Sequence, residues 1–330
     1  MAKYKVGVIG VGKLGGFHCN ALSQIDMAEL VGIFDTDVER RQEIAHKFQC
    51  KVFQSADDLV DSCEVVGVIV PTQSHKQIVE KALRAGKPVF VEKPIASTLE
   101  EAEEIVNMAT DRNIPLQVGH IERFNPAIRA LEGFDVNPMF IESHRLSPFD
   151  PRGTDVAVVL DLMIHDIDII SSLVQSPIED IRANGVAIVS DEVDIANARL
   201  QFSNGCVANV TASRISQRKM RKMRLFQPNA YISIDFLQRL TEIFRISESV
   251  ETSLASINLG QIEKGKHKKN IIYEKPQIPE NDAMQAEWKS FFNALEYGTQ
   301  PLVSGQDGLK ALDIAMRIRN IIQYSSPSPK

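Results

Sequence analysis

Residues 4–22, YKVGVIGVGKLGGFHCNAL, constrain the fold more than any other stretch of the chain. A short β-rich run meets three glycines, Gly10, Gly12 and Gly15, in the spacing G-x-G-x-x-G, and a helical pattern follows. The three glycines permit a tight turn, close approach of a pyrophosphate to the backbone, and close packing of helix on strand, with the helix N-terminus turned toward the anion. Lys13 and Leu14 lie inside this motif as further candidates to touch the ligand. Such a unit requires an acidic residue about 20 residues further on, at the end of the second strand. The run LVGIFD ends at Asp35. Its carboxylate can accept from both ribose hydroxyls of an adenosine and would repel a 2′-phosphate, which points to NAD over NADP. Arg40 and Arg41, about a turn away, weaken that preference without reversing it. The competing reading is an ordinary strand-to-helix turn with an acidic helix start, and the complete pattern favours the dinucleotide.

The 330 residues are enough for about two domains at roughly 150 residues each. Up to residue 120, strands alternate with helical stretches (TDVERRQEIAHKF, HKQIVEKALRAG with Gly86 as C-terminal cap, TLEEAEEIVNMATDRN), which predicts βαβ units and a parallel sheet buried on both faces. After that the pattern changes. RFNPAIRALE reads as a helix, MFIESHRLSPF as a strand, and Val156–Val174 as one long helix. The segments DIRANGVAIV, DIANARLQFSNGCVANVTASRIS and KMRLFQPNAYISIDF read as consecutive strands of an antiparallel meander. INLGQIEKGKHKKN reads as a loop or hairpin tip, and two helices close the chain, the second with a capping-box start at Ser304 and Asp307. The expectation is an α/β Rossmann domain over 1–120 and an α+β domain with a large, mainly antiparallel open sheet over 121–330, the closing helices free to pack back on the first domain.

Residues just past the carboxyl end of a strand line the ligand crevice of such a sheet. VPTQSH makes Pro71, Thr72 and His75 candidates to line the cofactor, although His75 also fits as a polar residue at a helix start. FVEKP places Glu92 and Lys93 at the end of another strand; a surface lysine is the bland alternative, and position favours function. A net charge of −6 gives no electrostatic case for nucleic acid. No apolar run spans a bilayer, and the start of the chain lacks the pattern of a signal peptide. The four cysteines are scattered without a C-x-x-C pair, which predicts reduced thiols, a cytoplasmic location and no metal site.

DLMIHDIDII sets Asp161, His165 and Asp168 at i, i+4 and i+7, one face of an otherwise apolar helix. A polar line on a buried helix needs partners or a ligand. The residues alone leave two readings open: an internal Asp–His hydrogen bond that fixes packing, or groups facing a cavity.

Together, VGVIGVGKLGGFH, VPTQSH, GKPVFVEKP and DLMIHDID resemble the motif set of the Gfo/Idh/MocA family, the relatives of glucose-fructose oxidoreductase and inositol dehydrogenase. The resemblance implies a nicotinamide cofactor, oxidation or reduction at a sugar or polyol carbon, a cis Lys–Pro peptide after Glu92, and a dimer or tetramer formed through the C-terminal sheet. It also implies that Lys93, Asp161 and His165 are the catalytic group. A histidine suits general-base work near neutral pH and Lys93 would stabilise developing alkoxide charge; Asp161 would orient one of them, and either Lys93 or His165 takes the proton. Asp166 and Asp168 are expected behind that group.

Within the family, VGHIERFNPA and FDPRGTDVAVVLDLMIHDID resemble the branch that oxidises the 3-hydroxyl of UDP-N-acetylglucosamine with NAD, a step toward 3-amino sugars such as those of lipid A. On that reading Arg123 and Asn125 hold sugar hydroxyls and Arg145 or Arg152 meets a diphosphate. The basic stretch RISQRKMRKMR is either a solvated strand face or subunit contact, or an attractor for the diphosphate. A dehydrogenase of a free polyol or monosaccharide such as an inositol is the alternative, and a cofactor-binding regulatory or scaffold protein without turnover is the alternative of another class.

Overall fold

The computed structural model describes residues 3–150, 156–247, 256–264, 267–278, 280 and 282–325. The chain divides into two compact units, Met1–Phe124 with Asn281–Asp313, and Asn125–Glu280 with Ile314–Lys330. In chain order, the first unit opens with β1 (Tyr4–Ile9), α1 (Lys13–Leu22), β2 (Ala28–Phe34), α2 (Val38–Phe48), β3 (Lys51–Val52), α3 (Ala56–Ser62), β4 (Val65–Val68), α4 (His75–Arg84), β5 (Val89–Glu92), α5 (Leu99–Asp111) and β6 (Leu116–Gly119). Its sheet has the order β3-β2-β1-β4-β5-β6 and every pairing is parallel. This is a Rossmann arrangement, and the order reverses direction between β1 and β4, where the strand ends splay into a crevice. Helix starts follow the sequence signals: Asp37, Ser55 and Thr98 accept from the backbone N–H groups of Arg40, Asp58 and Glu101. Each such cap is worth about 1 kcal/mol.

The second unit contributes α6 (Pro126–Arg129), β7 (Phe140–Leu146), α7 (Ile164–Val174), β8 (Ile178–Val186), β9 (Ile195–Phe202), β10 (Val207–Ser213), β11 (Met220–Gln227), β12 (Ala230–Asp235), β13 (Leu240–Ser247), β14 (Ser256–Lys264) and β15 (His267–Glu274). Among the described residues its nine strands lie in the order β14-β15-β13-β12-β11-β7-β10-β9-β8. The sheet is large and mainly antiparallel, as expected, but the meander is not consecutive. β7 inserts between β10 and β11 and runs parallel to β10. Leu146, the last residue of β7, pairs with both Ser213 and Met220, so the intervening segment passes over the end of β7. That segment, RISQRK, contains no Gly, Asn, Asp or Pro and so lacks the chemistry of a tight hairpin turn.

Three other expectations need correction. The helix predicted over RFNPAIRALE shrinks to α6, preceded by a 3-10 turn at Ile121–Phe124, because Asn125 caps a new helix start with Pro126 in its first turn. The predicted helix over Val156–Val174 is not uniform: Val159–Met163 is π-helical before α7 begins. The segment read as a loop or hairpin tip is mostly the antiparallel strand pair β14–β15 itself, with Lys264 opposite His267 and a bulge between Asn258 and Gly260. Back in the first unit, α8 (Ala283–Tyr297) packs Trp288 and Phe292 onto the sheet, with Trp288 stacked on Phe90 at 4.4 Å and Phe292 on Tyr4 at 5.3 Å. α9 (Gly305–Ser325) starts with the predicted capping box: Ser304 N–H and Oγ both donate to Asp307, and Asp307 N–H donates back to Ser304 Oγ.

Asp194 shows how a buried carboxylate organises the second unit. It is fully buried, accepts from the backbone N–H groups of Ile188 and Val189 at 2.7 Å each and of Ser190 at 3.1 Å, and takes the Ser190 hydroxyl at 2.7 Å. Burial pushes this carboxyl up, but the donors of Val189, Ile188 and Ser190 outweigh it and hold it at about 2. The folded value lies below the ordinary one of 3.8, so the stabilisation is present above that value and lost as pH falls through about 2. Asp194→Asn is therefore expected to lower Tm at neutral pH, with the gap to wild type narrowing between about pH 4 and about pH 2. Thermal melts across that range check it, and a gap no smaller at about pH 2 would contradict it.

Candidate active site

The end of β1 turns at Gly10, whose φ of +88° belongs to the left-handed region that favours glycine. A Cβ there would sit 2.2 Å from the Ile69 carbonyl oxygen, and a Cβ at Gly15 would sit 2.0 Å from the Gly10 oxygen. Gly12 differs: nothing lies within 4 Å of the place a Cβ would take. Gly12, Lys13 and Leu14 are all exposed. Gly12 is also the N-cap of α1 and supplies no side chain to its free N–H groups, and the first turn carries no acid. The positive end of α1 thus opens onto space that only a side-chain-free backbone leaves clear, which fits a pyrophosphate.

Asp35 sits beside this turn. Its Oδ2 accepts from Val11 N–H at 2.6 Å and its Oδ1 from Asp37 N–H at 2.9 Å, which fixes the carboxylate at the tip of β2. Arg40 donates to the Val11 carbonyl at 3.0 Å and pairs with Glu43 at 2.6 Å. Arg41 donates to the Asp35 carbonyl at 3.4 Å and to Gln54 at 3.2 Å. Both arginines are engaged with the protein's own groups.

Past β4, Pro71 is exposed and Thr72 half-buried at the start of a 3-10 turn, as a lining role requires. His75 is placed differently. It is buried, with Nδ1 2.9 Å from the Pro94 carbonyl and Nε2 2.9 Å from the Val70 carbonyl. Burial pushes its pKa down even against those carbonyls. Neither ring nitrogen is left for a cofactor, so His75 clamps the turn after β5 to the end of β4. That turn contains a cis peptide between Lys93 and Pro94, and Lys93 is half-buried. Glu92 is 7% exposed, with Oε1 2.9 Å from His18 Nε2 and Oε2 accepting from Lys93 N–H at 3.0 Å, so its carboxylate is committed to the protein's own groups. His120 is fully buried nearby, and burial first, then the charges of Lys93 and Arg123, push its pKa down to about 3. It is neutral at pH 7. Arg123 donates to the Leu302 carbonyl at 3.2 Å.

In the second unit the polar stripe separates. Asp161 and His165 are half-buried, whereas Asp166 and Asp168 are 2% exposed. Asp161 lies in the π-helical stretch, whose wider turn alters its angle relative to His165; such insertions recur at functional sites. Asp166 is held by Arg145 Nε at 2.6 Å, Arg145 Nη2 at 3.3 Å and Ser143 Oγ at 2.8 Å. Arg145 is itself 2% exposed, so it does not meet a diphosphate; it ties α7 to β7. Removing one member of so buried a pair costs about 3–5 kcal/mol. Asn125 is likewise engaged, accepting from Ala127 N–H at 3.0 Å as the cap of α6 and donating to the Phe236 carbonyl at 3.2 Å. Arg152 lies outside the described residues. Of the basic stretch, Arg214 is buried against Asp194, while Lys222 pairs with Asp235 at 3.2 Å and Arg224 with Glu142 at 3.4 Å.

Residues 4–120 match the model of the oxidoreductase family with an NAD-binding Rossmann fold, and residues 138–232 match the GFO/IDH/MocA C-terminal domain. The chain belongs to the Gfo/Idh/MocA family. It is 35% identical to UDP-N-acetylglucosamine 3-dehydrogenase of Acidithiobacillus ferrooxidans over 98% of both chains, and the solved structure of that protein superposes with a TM-score of 0.86, covering 98% of this chain and 99% of that one. It is 25% identical to myo-inositol 2-dehydrogenase of Thermotoga maritima over 93% of each chain. The fold is also that of scyllo-inositol dehydrogenase from Lactobacillus casei, solved with NAD(H) and scyllo-inositol, at a TM-score of 0.77 and 21% identity over 98% of each chain.

As a Gfo/Idh/MocA protein it is a dehydrogenase acting on a CH–OH group with a nicotinamide dinucleotide of the NAD type. The turn at Gly10 and Gly12, with Lys13, Leu14 and Asp35 beside it, has the open backbone and the carboxylate that a pyrophosphate and a ribose require. His18, His120 and Trp288 escaped the sequence reading. His18 ends the motif VGVIGVGKLGGFH and His120 lies within VGHIERFNPA, neither with a role there, and nothing local marks Trp288. Because the space beside Gly12 is open, Gly12→Ala is expected to change stability by no more than about 0.5 kcal/mol. It should raise the NADH dissociation constant by about tenfold or more, equivalent to about 1.4 kcal/mol, in a fluorescence titration. Gly15→Ala should instead cost about 1–3 kcal/mol of stability through overpacking. Equal stability losses in the two variants would contradict the distinction.

Proposed function

We propose that the protein oxidises the 3-hydroxyl of a UDP-N-acetylhexosamine, converting UDP-N-acetylglucosamine to its 3-keto form with NAD. The observation that carries this reading is the 35% identity over 98% of both chains to a UDP-N-acetylglucosamine 3-dehydrogenase, against 25% to a myo-inositol 2-dehydrogenase. The position of Asp35 beside the glycine turn, with Arg40 and Arg41 engaged elsewhere, supports NAD over NADP.

Bound NAD supplies the hydride acceptor. Lys93 donates to the alcohol oxygen and stabilises charge as it develops there. The hydroxyl proton leaves to Lys93 or to His165, and Asp161 orients the acceptor. Arg123 is assigned to the sugar hydroxyls and Arg152 to the diphosphate. The 3-keto product suits amination toward a 3-amino sugar such as those of lipid A. A homodimer or homotetramer through the C-terminal sheet is supported by a row of aromatic rings, Phe140, Phe226, Tyr231, Phe244 and Tyr273, spaced 5.1–5.8 Å centroid to centroid on strands β7 to β15. A cytoplasmic location is supported by four free cysteines, of which Cys19, Cys63 and Cys206 are buried. Among the described residues no helix is long and apolar enough to cross a membrane.

The deciding experiment follows NADH formation at 340 nm with UDP-N-acetylglucosamine, N-acetylglucosamine and myo-inositol, a carbonyl trap being present because such oxidations run uphill. NADH is expected with the UDP sugar alone, and turnover with myo-inositol instead would assign the chain to polyols. Lys93→Ala and His165→Ala are expected to bind NADH and lose turnover by at least about 100-fold; near-normal rates in both would overturn the catalytic assignment. Asp35→Ala is expected to weaken NAD binding and to narrow its advantage over NADP, and an unchanged preference would place Asp35 outside the ribose site.

A further inference from the structure

A chain of three hydrogen bonds runs through the first unit behind Lys93. The Trp288 indole N–H donates to His18 Nδ1 at 3.0 Å. His18 Nε2 lies 2.9 Å from Glu92 Oε1, and Glu92 Oε2 accepts from the Lys93 backbone N–H at 3.0 Å. His18 and Trp288 are fully buried and Glu92 is 7% exposed. The chain joins α1, which carries the glycine turn, to the turn that holds Lys93, and both to α8. Chemistry dictates its direction. An indole N–H can only donate, so His18 Nδ1 must accept and its hydrogen sits on Nε2. Two N–H groups therefore face Glu92, and only a carboxylate can accept both, one on each oxygen.

We infer that the Trp288–His18–Glu92 relay is a positioning device for Lys93, setting its backbone from the cofactor-side helix α1. The inference rests on reading Lys93 as a group that meets the substrate. Further support comes from Gly119 on the neighbouring strand, where a Cβ would lie 2.9 Å from the Glu92 carboxylate, so the missing side chain leaves the carboxylate its present place.

The relay predicts a rescue that packing alone does not. Glu92→Gln replaces one acceptor with a donor and forces an N–H against an N–H. Adding Trp288→Phe removes the donor at His18 Nδ1. The histidine hydrogen can then move to Nδ1, leaving Nε2 to accept from the amide that Glu92→Gln introduces. Expected in Glu92→Gln is a kcat lowered about 10–100-fold by a small displacement of Lys93, with the NADH dissociation constant within about threefold of wild type. The double variant Glu92→Gln, Trp288→Phe should recover about tenfold of that loss, although it removes a second native group. Activity is read on the panel of UDP-N-acetylglucosamine, N-acetylglucosamine and myo-inositol, and binding by NADH fluorescence. Trp288 is the sole tryptophan, so its indole N–H gives a single NMR signal that should move in His18→Gln.

If Lys93→Ala is inactive while Glu92→Gln is near normal, or while the double variant is worse than Glu92→Gln, the relay is overturned and the reading of Lys93 stands. If Lys93→Ala turns over normally, that reading falls and the relay's role with it. Should Glu92→Gln not fold, a histidine 15N spectrum of the wild-type protein decides: His18 must be neutral with its hydrogen on Nε2, and any other form overturns the relay.

Discussion

Glu92 is a carboxylate with almost no access to water, and that constraint organises the first unit. An ionised carboxylate taken out of water costs several kcal/mol unless its oxygens are met by donors. Here the donors come from α1 and from the residue after β5, and the α1 donor is itself oriented by α8. Sequence neighbours supply one of these bonds; the others span 74 and 270 positions. The indole that orients His18 also stacks on Phe90, so a single side chain closes both the polar relay and the apolar core beneath it.

The second unit solves the same problem twice with different partners. Asp166 takes a guanidinium fork and a hydroxyl from β7, which fastens α7 to the centre of the sheet. Asp194 takes consecutive backbone N–H groups and so shapes the 188–190 turn. Asp166 follows His165 directly in sequence, so the fastening of α7 also limits where that histidine can point.

What could be read in the sequence was what local chemistry encodes. The glycine turn and Asp35 follow from backbone sterics over a short span, as does the capping box at Ser304 and Asp307. The parallel sheet followed from alternating strand and helix runs. The insertion of β7 between β10 and β11 was not legible, because strand neighbours far apart in sequence leave no spacing signal. Asn125 and Arg145 were assigned to the substrate because a polar residue near a strand end reads the same whether it meets a ligand or a cap. His75 and Glu92 were read as cofactor contacts, whereas their side chains bond the protein's own groups, since sequence does not tell a lining residue from one that holds the lining in place. The π-helical stretch was equally hidden, because DLMIHDIDII satisfies α-helical periodicity on its own.

The cofactor side and the substrate side of this chain are specified in different physical terms. The dinucleotide turn is built mainly from backbone: an open position at Gly12, a left-handed Gly10 and the free N–H groups of α1. Such a device tolerates wide change elsewhere, and the nicotinamide-binding fold accordingly persists among relatives at 25% identity and below. Substrate choice rests on side chains, and here most polar side chains that looked available are committed to the protein's own groups. Arg145 and Asn125 are engaged in holding elements together. The buried acids Glu92, Asp166 and Asp194, by contrast, are fixed by donors that come from the protein itself.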